Sequence, residues 1–455
     1  MVKRNFPEGD TYMEPTPIGT WIRSPGVRET VESVLIAILL ALLFRFFEAE
    51  AFIIPTGSMA PDLQGLHVDV QCPKCKYQYR SGVARDRSEN IVPVEKCACP
   101  ICQYPLLLRR HERRDHREFS GDRILVNKFA YDFGDPERYD VIVFKYPNNG
   151  KQNFIKRLIG LPNEGLLIEY GDIHTWNRLT GSYNERQIAR KSPRKLKAML
   201  QLVDDTNHIA EELIEAGWPS RWNQWNRTDS PADWQVSLDP VMFTLENDSD
   251  DLRWLRYRHL QPRKNEWEDI EDGELPTRMS GEVPPGELIT DHYAYNDSMP
   301  KLMLRFTNRS GMHWVGDLAV EAHVDMQSDS GTLILEVVEG GVRFSCTIDV
   351  ASGAAKFAAS DPAVTFNGEP QAQTAIRGSG KHVILFANAD DKLFLWVDGR
   401  SVDIPGAEFT RTGEVTPQWS ASDPGDAEPA AIGGRNISMN VSRLKLLRDI
   451  YYTSK

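Results

Sequence analysis

The most apolar stretch of the chain lies close to its N-terminus. Residues 31–47 read VESVLIAILLALLFRFF, which is near the shortest length at which a helix spans the hydrocarbon core of a membrane. The pattern predicts a transmembrane helix over 29–48 that follows a cytoplasmic tail at 1–28, because positive charge precedes it. A buried core helix or a cleaved signal peptide would give a similar run, but no small-x-small cleavage pattern follows.

Short runs of alternating apolar and polar residues dominate the C-terminal part of the chain. GTLILEVVEGGVRFSCTIDV is one such run, and Gly340-Gly341 and Asp390-Asp391 stand where hairpin turns are expected. This pattern predicts a β-sandwich over residues 285–450. Residues 49–70 and 119–175 also have a β-rich pattern, whereas residues 176–284 are mixed and contain helical spacing near 193–216.

Composition limits the classes of function. The chain has 455 residues, enough for several domains, with 41% hydrophobic and 26% charged residues, as in ordinary folded proteins. Its formal net charge is −12, which argues against nucleic acid as a partner.

A serine lies in an unusual loop directly after the apolar run. Pro55 and Gly57 precede Ser58 in IIPTGSMAPDL, and such a turn can expose a hydroxyl and aim the serine N–H at an oxyanion. On its own this pattern is also typical of a serine in an ordinary turn with no catalytic role. A nucleophilic serine needs a base, and the ten histidines are scattered along the chain.

A lysine in an apolar strand is the candidate base. Burial lowers the pKa of lysine toward neutrality because it disfavours the charged form. In NFIKRLIG, Lys156 shares one strand face with Phe154 and Leu158. Lys145 in VIVFKYP is a rival, although it runs into a Pro-Asn-Asn-Gly turn. The alternative is that Lys156 is only a charge on an edge strand, where it would prevent aggregation.

Four blocks in order, IIPTGSMAPDL, GDRILVNKFAYDF, DVIVFKYP and NFIKRLIGLPNE, resemble the type I signal peptidases. The resemblance covers roughly residues 25–70 and 120–175. It implies Ser58 as nucleophile, Lys156 as general base, and Thr56 as a partner of the Ser58 N–H in the oxyanion hole. It also implies Met59 in the apolar surface near the membrane. Asp122, Arg123 and Arg157 match structural positions of the family.

The resemblance also implies an activity and a place in the cell. Family members remove signal peptides from exported preproteins, so the expected partners are preprotein signal peptides and the lipid bilayer. The expected location is the inner membrane, crossed once, with the catalytic domain on its outer face. No cofactor is expected for catalysis.

One family block is missing, however. The family's last block has the form Gly-Asp-Asn-x-x-x-Ser-x-Asp-Ser-Arg, and the nearest polar stretch, residues 289–298, reads ITDHYAYNDS and matches it poorly. In the family this block supplies a serine that orients the lysine. A truncated or inactive relative that acts as a membrane-anchored binding or scaffold protein is therefore the alternative.

Two CPxC motifs predict a metal site within an insert at 71–118. Cys72, Cys75, Cys99 and Cys102 have zinc-ribbon spacing and predict a closed, structural zinc site. Cys97 offers an alternative half-site with Cys99, and disulfides are the competing interpretation in an oxidising compartment.

The predicted sandwich carries a second resemblance. LFANADDKLFLWVDGR, residues 385–400, resembles paired strands of laminin G-like and concanavalin-like jelly rolls. The resemblance implies a glycan or protein ligand, although a structural domain that covers its neighbours and binds no ligand would have the same pattern. The predicted fold class is mainly β: a transmembrane helix, a signal-peptidase-type catalytic domain with an inserted zinc ribbon, and a C-terminal β-sandwich.

Overall fold

The chain divides into two units, residues 1–53 with 123–136, and residues 54–122 with 137–455. The computed structural model describes residues 25–47, 49–85, 90–92, 94–109, 111–225, 234–279, 285–292, 295, 313–420 and 422–453. The predicted tail at 1–28 lies almost wholly outside the described residues.

The first unit consists of one helix and a strand pair. Helix α1 (Pro25–Phe47) is followed by strand β1 (Ala49–Ile53), which pairs antiparallel with β8 (Arg123–Asn127). Leu35, Leu39 and Leu40 are exposed on the helix.

The prediction of a transmembrane helix over 29–48 is not supported. A helix is present at this position, but within the described part of the chain no helix combines the length and the apolar character of a membrane span. Its first two turns carry Arg28, Glu29 and Glu32, and charged side chains are costly in hydrocarbon.

The remaining elements belong to the second unit. As far as residue 199 they are β2 (His67–Gln71), β3 (Gln78–Gly82), β4 (Ala84–Arg85), β5 (Ile91–Val92), β6 (Lys96–Ala98), β7 (Pro105–Leu107), β9 (Val141–Tyr146), β10 (Asn149–Arg157), β11 (Glu164–Glu169), β12 (Asp172–Asn177), β13 (Gln187–Ile188) and helix α2 (Pro193–Met199).

Between residues 201 and 326 the chain forms β14 (Gln201–Asp205), α3 (Glu211–Glu215), β15 (Trp222–Asn223), β16 (Trp234–Leu238), β17 (Val241–Asn247), β18 (Arg253–Tyr257), α4 (Lys264–Glu271) and β19 (Leu318–Met326). The last elements are β20 (Thr332–Glu339), β21 (Val342–Asp349), β22 (Ala354–Ala359), β23 (Val364–Phe366), β24 (Gln371–Gln373), β25 (Gly380–Ala389), β26 (Lys392–Val397), β27 (Arg400–Val402), β28 (Phe409–Arg411), β29 (Ala430–Arg435) and β30 (Ile437–Arg448).

Two large antiparallel sheets pack face to face and confirm the predicted β-sandwich. One has the strand order β16-β17-β30-β19-β25-β26-β27, with β14 also paired to β30, and the other has the order β15-β18-β29-β20-β21-β22-β24. Side chains such as Phe243, Leu335, Phe344 and Phe386 fill the layer between them. The mainly β fold class is therefore confirmed, while the closer likeness to jelly rolls stays a prediction.

The sandwich begins earlier in the chain than predicted. Strands β14 to β18, from residues 201–257, extend both sheets, so much of the segment 176–284 is part of the sandwich and not a separate insert. The pairing comes from strands far along the chain, since β17 pairs with β30 and β18 pairs with β29.

The hairpins of the sandwich follow their turn residues. Gly340 and Gly341 join β20 to β21, and Asp390 and Asp391 join β25 to β26; all four have positive φ, as the favoured two-residue hairpin turns require. Strands β25 and β26 are buried on both faces because α2 covers their outer side with Leu196.

Candidate active site

Ser58 lies in the exposed loop between Ile54 and His67. Asp122 fastens this loop at two points. Its carbonyl oxygen accepts a hydrogen bond from the Ile54 N–H at 2.9 Å, and its carboxylate accepts one from the Gln64 N–H at 2.7 Å. Both ends of the serine loop are thereby held by one residue, which agrees with the structural role that the resemblance implies for Asp122.

Glycines allow the backbone around Ser58 to pack tightly. A Cβ on Gly121 would lie 1.9 Å from the Ile54 carbonyl oxygen, and a Cβ on Gly65 would lie 2.3 Å from the Thr56 carbonyl carbon. Such distances are far inside van der Waals contact, so only glycine fits at either position. The loop conformation therefore requires residues without a Cβ atom at positions 65 and 121.

Lys156 reaches Ser58 from a neighbouring hairpin. It lies on β10, paired with Ile142 of β9, and its Nζ donates to Ser58 Oγ at 2.5 Å and to the Ile155 carbonyl oxygen at 2.9 Å. The Phe154 ring centroid is 5.7 Å from the same nitrogen. The sequence-predicted pair is thus in direct hydrogen-bond contact, although the residues are 98 positions apart.

The expected apolar burial of Lys156 is only partly present. Desolvation lowers the pKa of its amine from the ordinary value of 10.5, in the predicted direction. Both Lys156 and Ser58 nevertheless remain exposed. The reason is that β9 and β10 form a two-stranded sheet, and a hairpin of this kind supplies few neighbours to cover a side chain on its face.

Arg157 joins the lysine strand to the serine loop. Its guanidinium donates to Asp62 Oδ2 at 2.5 Å and to the Tyr139 carbonyl oxygen at 3.2 Å. The Arg157 side chain is 13% exposed, so the ion pair is partly shielded from water. This contact links the residue next to the lysine with a residue four positions after the serine.

Thr56 and Met59 have different surroundings. Thr56 is exposed beside the serine. Met59 is 6% exposed, and its carbonyl oxygen accepts from the Leu63 N–H at 3.0 Å. The expectation that Met59 lies in an apolar surface is therefore not met, since its side chain packs inside the unit.

Residues 114–213 match the family of the signal peptidase, peptidase S26. This segment of the chain is similar to the signal peptidases. The matched segment contains Lys156, whereas Ser58 lies before it, so the assignment of Ser58 depends on its loop motif and on its contact with Lys156.

Several signal peptidases share short, well-matched stretches with the chain. Signal peptidase I of Pseudomonas fluorescens is 46% identical over 56 residues, which is 10% of this chain and 20% of that protein. Signal peptidase I of Aquifex aeolicus is 59% identical over 39 residues, 9% of this chain and 15% of that protein. A probable signal peptidase of Synechocystis is 25% identical over 155 residues, which is 32% of this chain and 51% of that protein. The match thus spans about a fifth of the length of the first of these relatives.

Two solved structures align with part of this chain. A carbohydrate-binding module of Bacillus subtilis covers 50% of this chain and 98% of its own length at 9% identity and a TM-score of 0.26. A galectin of Caenorhabditis elegans covers 29% of this chain and 83% of its own length, at 7% identity and a TM-score of 0.21. At these TM-scores the likeness carries no argument about function.

Tyr295 is a residue beside the candidate site that sequence reasoning missed. It comes from the stretch 289–298, whose match to the family's last block is poor. Its ring lies over Gly57, where a Cβ would come within 1.8 Å of Tyr295 Cε1, and its hydroxyl donates to the Leu66 carbonyl oxygen at 3.1 Å. Asn296, Asp297 and Ser298 lie outside the described residues.

A cavity of about 820 Å³ adjoins the serine loop. Pro61 and Gln64 of the loop line it, together with Arg80, Gln201 and His292. The side-chain amide oxygens of Gln64 and Gln201 are buried and have no hydrogen-bond partner within the described part of the chain.

The four cysteines of the CPxC motifs form one buried cluster. The sulfur atoms of Cys72, Cys75, Cys99 and Cys102 all lie within 4.8 Å of one another. Cys97, the rival half-site, lies apart with its sulfur 3.3 Å from the Tyr79 hydroxyl. All these thiols are free.

Asp172, Asp317 and Asp390 form a second cluster, with carboxylate oxygens within 4.8 Å of one another. Burial raises the pKa of the carboxyls of Asp172 and Asp317, and Lys191 pairs with Asp390 at 2.6 Å. Burial and the ion pair with Lys191 thus give this cluster a structural explanation within the fold.

Proposed function

We propose that this chain is a serine endopeptidase of the signal peptidase type, in which Ser58 is the nucleophile and Lys156 is its general base. The observation that carries the proposal is the 2.5 Å contact between Lys156 Nζ and Ser58 Oγ. Catalytic bases act at such hydrogen-bond distances.

The proposed chemistry needs one proton to move twice. When the neutral amine of Lys156 takes the proton of the Ser58 hydroxyl, Oγ attacks the scissile carbonyl carbon, and the lysine then gives that proton to the leaving amine. Water attacks the acyl-enzyme in the same way and restores the serine. The Ser58 N–H and the Thr56 hydroxyl are the proposed donors to the oxyanion.

The amine must be uncharged before it can accept a proton. Desolvation already lowers the pKa of Lys156, and a polypeptide bound over the exposed dyad would remove more water from it and lower the pKa further. Substrate binding is therefore part of the proposed activation of the lysine.

Two contacts compensate in part for the missing last block. The Ile155 carbonyl oxygen accepts from Lys156 Nζ at 2.9 Å, which restricts the direction of the amine. The ion pair between Arg157 and Asp62 joins the strand of the base to the loop of the nucleophile. We propose that these contacts take over the orientation and stiffening that the block gives other family members.

The proposed substrates are exported preproteins, and the proposed location is the outer face of the inner membrane. The cavity beside the loop, lined by Pro61 and Gln64, is the proposed place for an extended polypeptide. The exposed leucines of α1 would favour contact with lipid.

Cleavage of a preprotein by purified variants tests the proposal. Ser58→Ala and Lys156→Ala should each reduce kcat/KM by about 10²–10⁴, the range for loss of an acid–base group. Lys145→Ala is the matched control, because Lys145 lies exposed on the partner strand β9 and should leave the rate unchanged. Equal activity of wild type and Ser58→Ala would overturn the proposal.

The exposure of Ser58 and Lys156 favours a second candidate, an inactive relative that binds partners at the membrane surface. If wild type, Ser58→Ala and Lys156→Ala all fail to cleave while remaining folded, this alternative holds. A glycan or protein ligand of the sandwich stays a prediction under either proposal.

A further inference from the structure

We propose that Cys72, Cys75, Cys99 and Cys102 bind one zinc ion, and that this ion holds the cysteine insert against the segment 201–279. The first part follows from the geometry of the four sulfurs. The second follows from contacts that no spacing of cysteines predicts.

The two CPxC motifs have the same local conformation. Each begins at the tip of a short hairpin, β2–β3 or β6–β7. In the first, the Cys72 N–H donates to the Tyr77 carbonyl oxygen at 2.8 Å; in the second, the Cys99 N–H donates to that of Tyr104 at 3.1 Å. The residue after each second cysteine has positive φ. Two equivalent turns thus present two thiols each to one point.

The sulfur distances fit a single tetrahedral ion. Cys72 and Cys102 sulfurs are 3.5 Å apart, as are those of Cys75 and Cys99. Four sulfurs bound to zinc at about 2.3 Å would be roughly 3.8 Å from one another. A disulfide would need about 2.05 Å between two sulfurs, and none is formed. The four thiols lose their protons when they bind the metal.

The environment of the cluster excludes catalysis at the metal. All four cysteines are at most 2% exposed, and four thiolates complete the coordination of zinc. Cys97 cannot be a fifth ligand while its sulfur contacts the Tyr79 hydroxyl. The ion would therefore be structural.

Side chains of the segment 201–279 hold the backbone of the cysteine turns. Trp267 Nε1 donates to the Cys102 carbonyl oxygen at 2.9 Å, Arg221 donates to that of Ile101 at 2.6 Å, and His208 Nδ1 lies 3.2 Å from that of Cys75. These groups come from α4, the approach to β15 and the loop before α3. Three separate points of that segment thus depend on the conformation of the turns.

Lys74, inside the first CPxC motif, adds a charged contact to the same surface. Its Nζ lies 3.4 Å from carboxylate oxygens of Glu212 on α3 and of Glu271 on α4. It also lies 5.8 Å from the Trp267 ring centroid. Loss of the metal would release the turn that carries Lys74, and with it the contacts to both helices.

Metal analysis of the purified protein tests the first part. We expect one zinc per chain, and its loss in Cys72→Ser and Cys102→Ser. The matched controls are Cys97→Ser and Cys346→Ser, which remove equally buried thiols outside the cluster and should keep the zinc. Protein without zinc, with free thiols or with disulfides at these four positions, would overturn the proposal.

Hydrogen exchange tests the second part. Removal of zinc by a chelator should increase amide exchange in Glu211–Glu215 and Lys264–Glu271, and added zinc should reverse it. Trp267→Phe should keep the zinc but loosen Lys264–Glu271, because it removes the hydrogen bond to Cys102 together with part of a buried ring. Unchanged exchange in both helices after zinc removal would show that the ion does not hold the insert in place. Neither readout depends on peptidase activity.

Discussion

At the scale of single residues, the proposed chemistry depends on the position of one amine. Lys156 Nζ is 2.5 Å from Ser58 Oγ, yet the lysine is exposed on its hairpin. Partial desolvation lowers the pKa of the amine, so that more of it is neutral at a given pH than in an ordinary surface lysine. The rate should therefore report the charge of this one group.

We expect kcat/KM for a peptide substrate to rise with pH, because only neutral Lys156 can accept the serine proton. The midpoint should lie below 10.5, since desolvation favours the neutral form. A series of rates between about pH 7 and about pH 11 measures it, across the range in which lysines titrate.

Phe154→Gln is the companion variant, because the ring lies 5.7 Å from the amine and a polar replacement would solvate the charged form. The midpoint should then move upward. A rate that does not change with pH, or a midpoint at or above that of free lysine, would contradict the role of Lys156.

At the scale of elements, the serine loop depends on contacts with distant segments. Asp122 holds both ends of the loop, and the Tyr295 ring occupies the space above Gly57. Gly57 does not have positive φ, so the need for glycine here is one of space and not of backbone conformation.

Gly57→Ala should therefore displace either the loop or Tyr295, because the new methyl group would lie 1.8 Å from Tyr295 Cε1. A shift of about 1 Å at the nucleophile should lower kcat/KM by about 10²-fold. The measurement is cleavage of a preprotein, with the fold checked by circular dichroism.

Gly150→Ala is the matched control, since a methyl group at this position would have no described atom within 4 Å outside its own chain neighbours. It should keep the wild-type rate. Full activity of Gly57→Ala would mean that Tyr295 moves aside freely and does not position the loop.

At the scale of the whole molecule, one buried lysine joins distant parts of the second unit. Lys191 lies shortly after the strands β11 to β13 and pairs with Asp390 at 2.6 Å and Asp449 at 2.7 Å. All three side chains are at most 2% exposed. The two carboxylates raise the pKa of Lys191, which keeps it charged despite its burial.

Lys191→Met should lower the free energy of unfolding by about 3–5 kcal/mol, because it leaves buried carboxylates without their cation. Denaturant unfolding measures the change. Lys381→Met is the control: its side chain is 83% exposed and 3.6 Å from Asp325, so a change under about 1 kcal/mol is expected. Equal effects of the two variants would contradict the importance of the buried group.

Local patterns in the sequence determined much of this protein. The period of two along β10, the PTGSM loop and the resemblance of four ordered blocks to the type I signal peptidases together pointed to Ser58 and Lys156, which the structure brings into hydrogen-bond contact. The turn residues at 340–341 and 390–391 predicted local hairpins correctly, because the conformation of a hairpin turn depends on neighbours in the chain.

Only the tertiary structure decided the rest. The placement of Tyr295 over Gly57, the addition of strands β14 to β18 to the sandwich, the burial of Met59 and the exposure of Lys156 all depend on segments far apart in the chain. Such contacts result from the packing of whole surfaces. The residues of one strand do not determine which distant segment will pack against that strand.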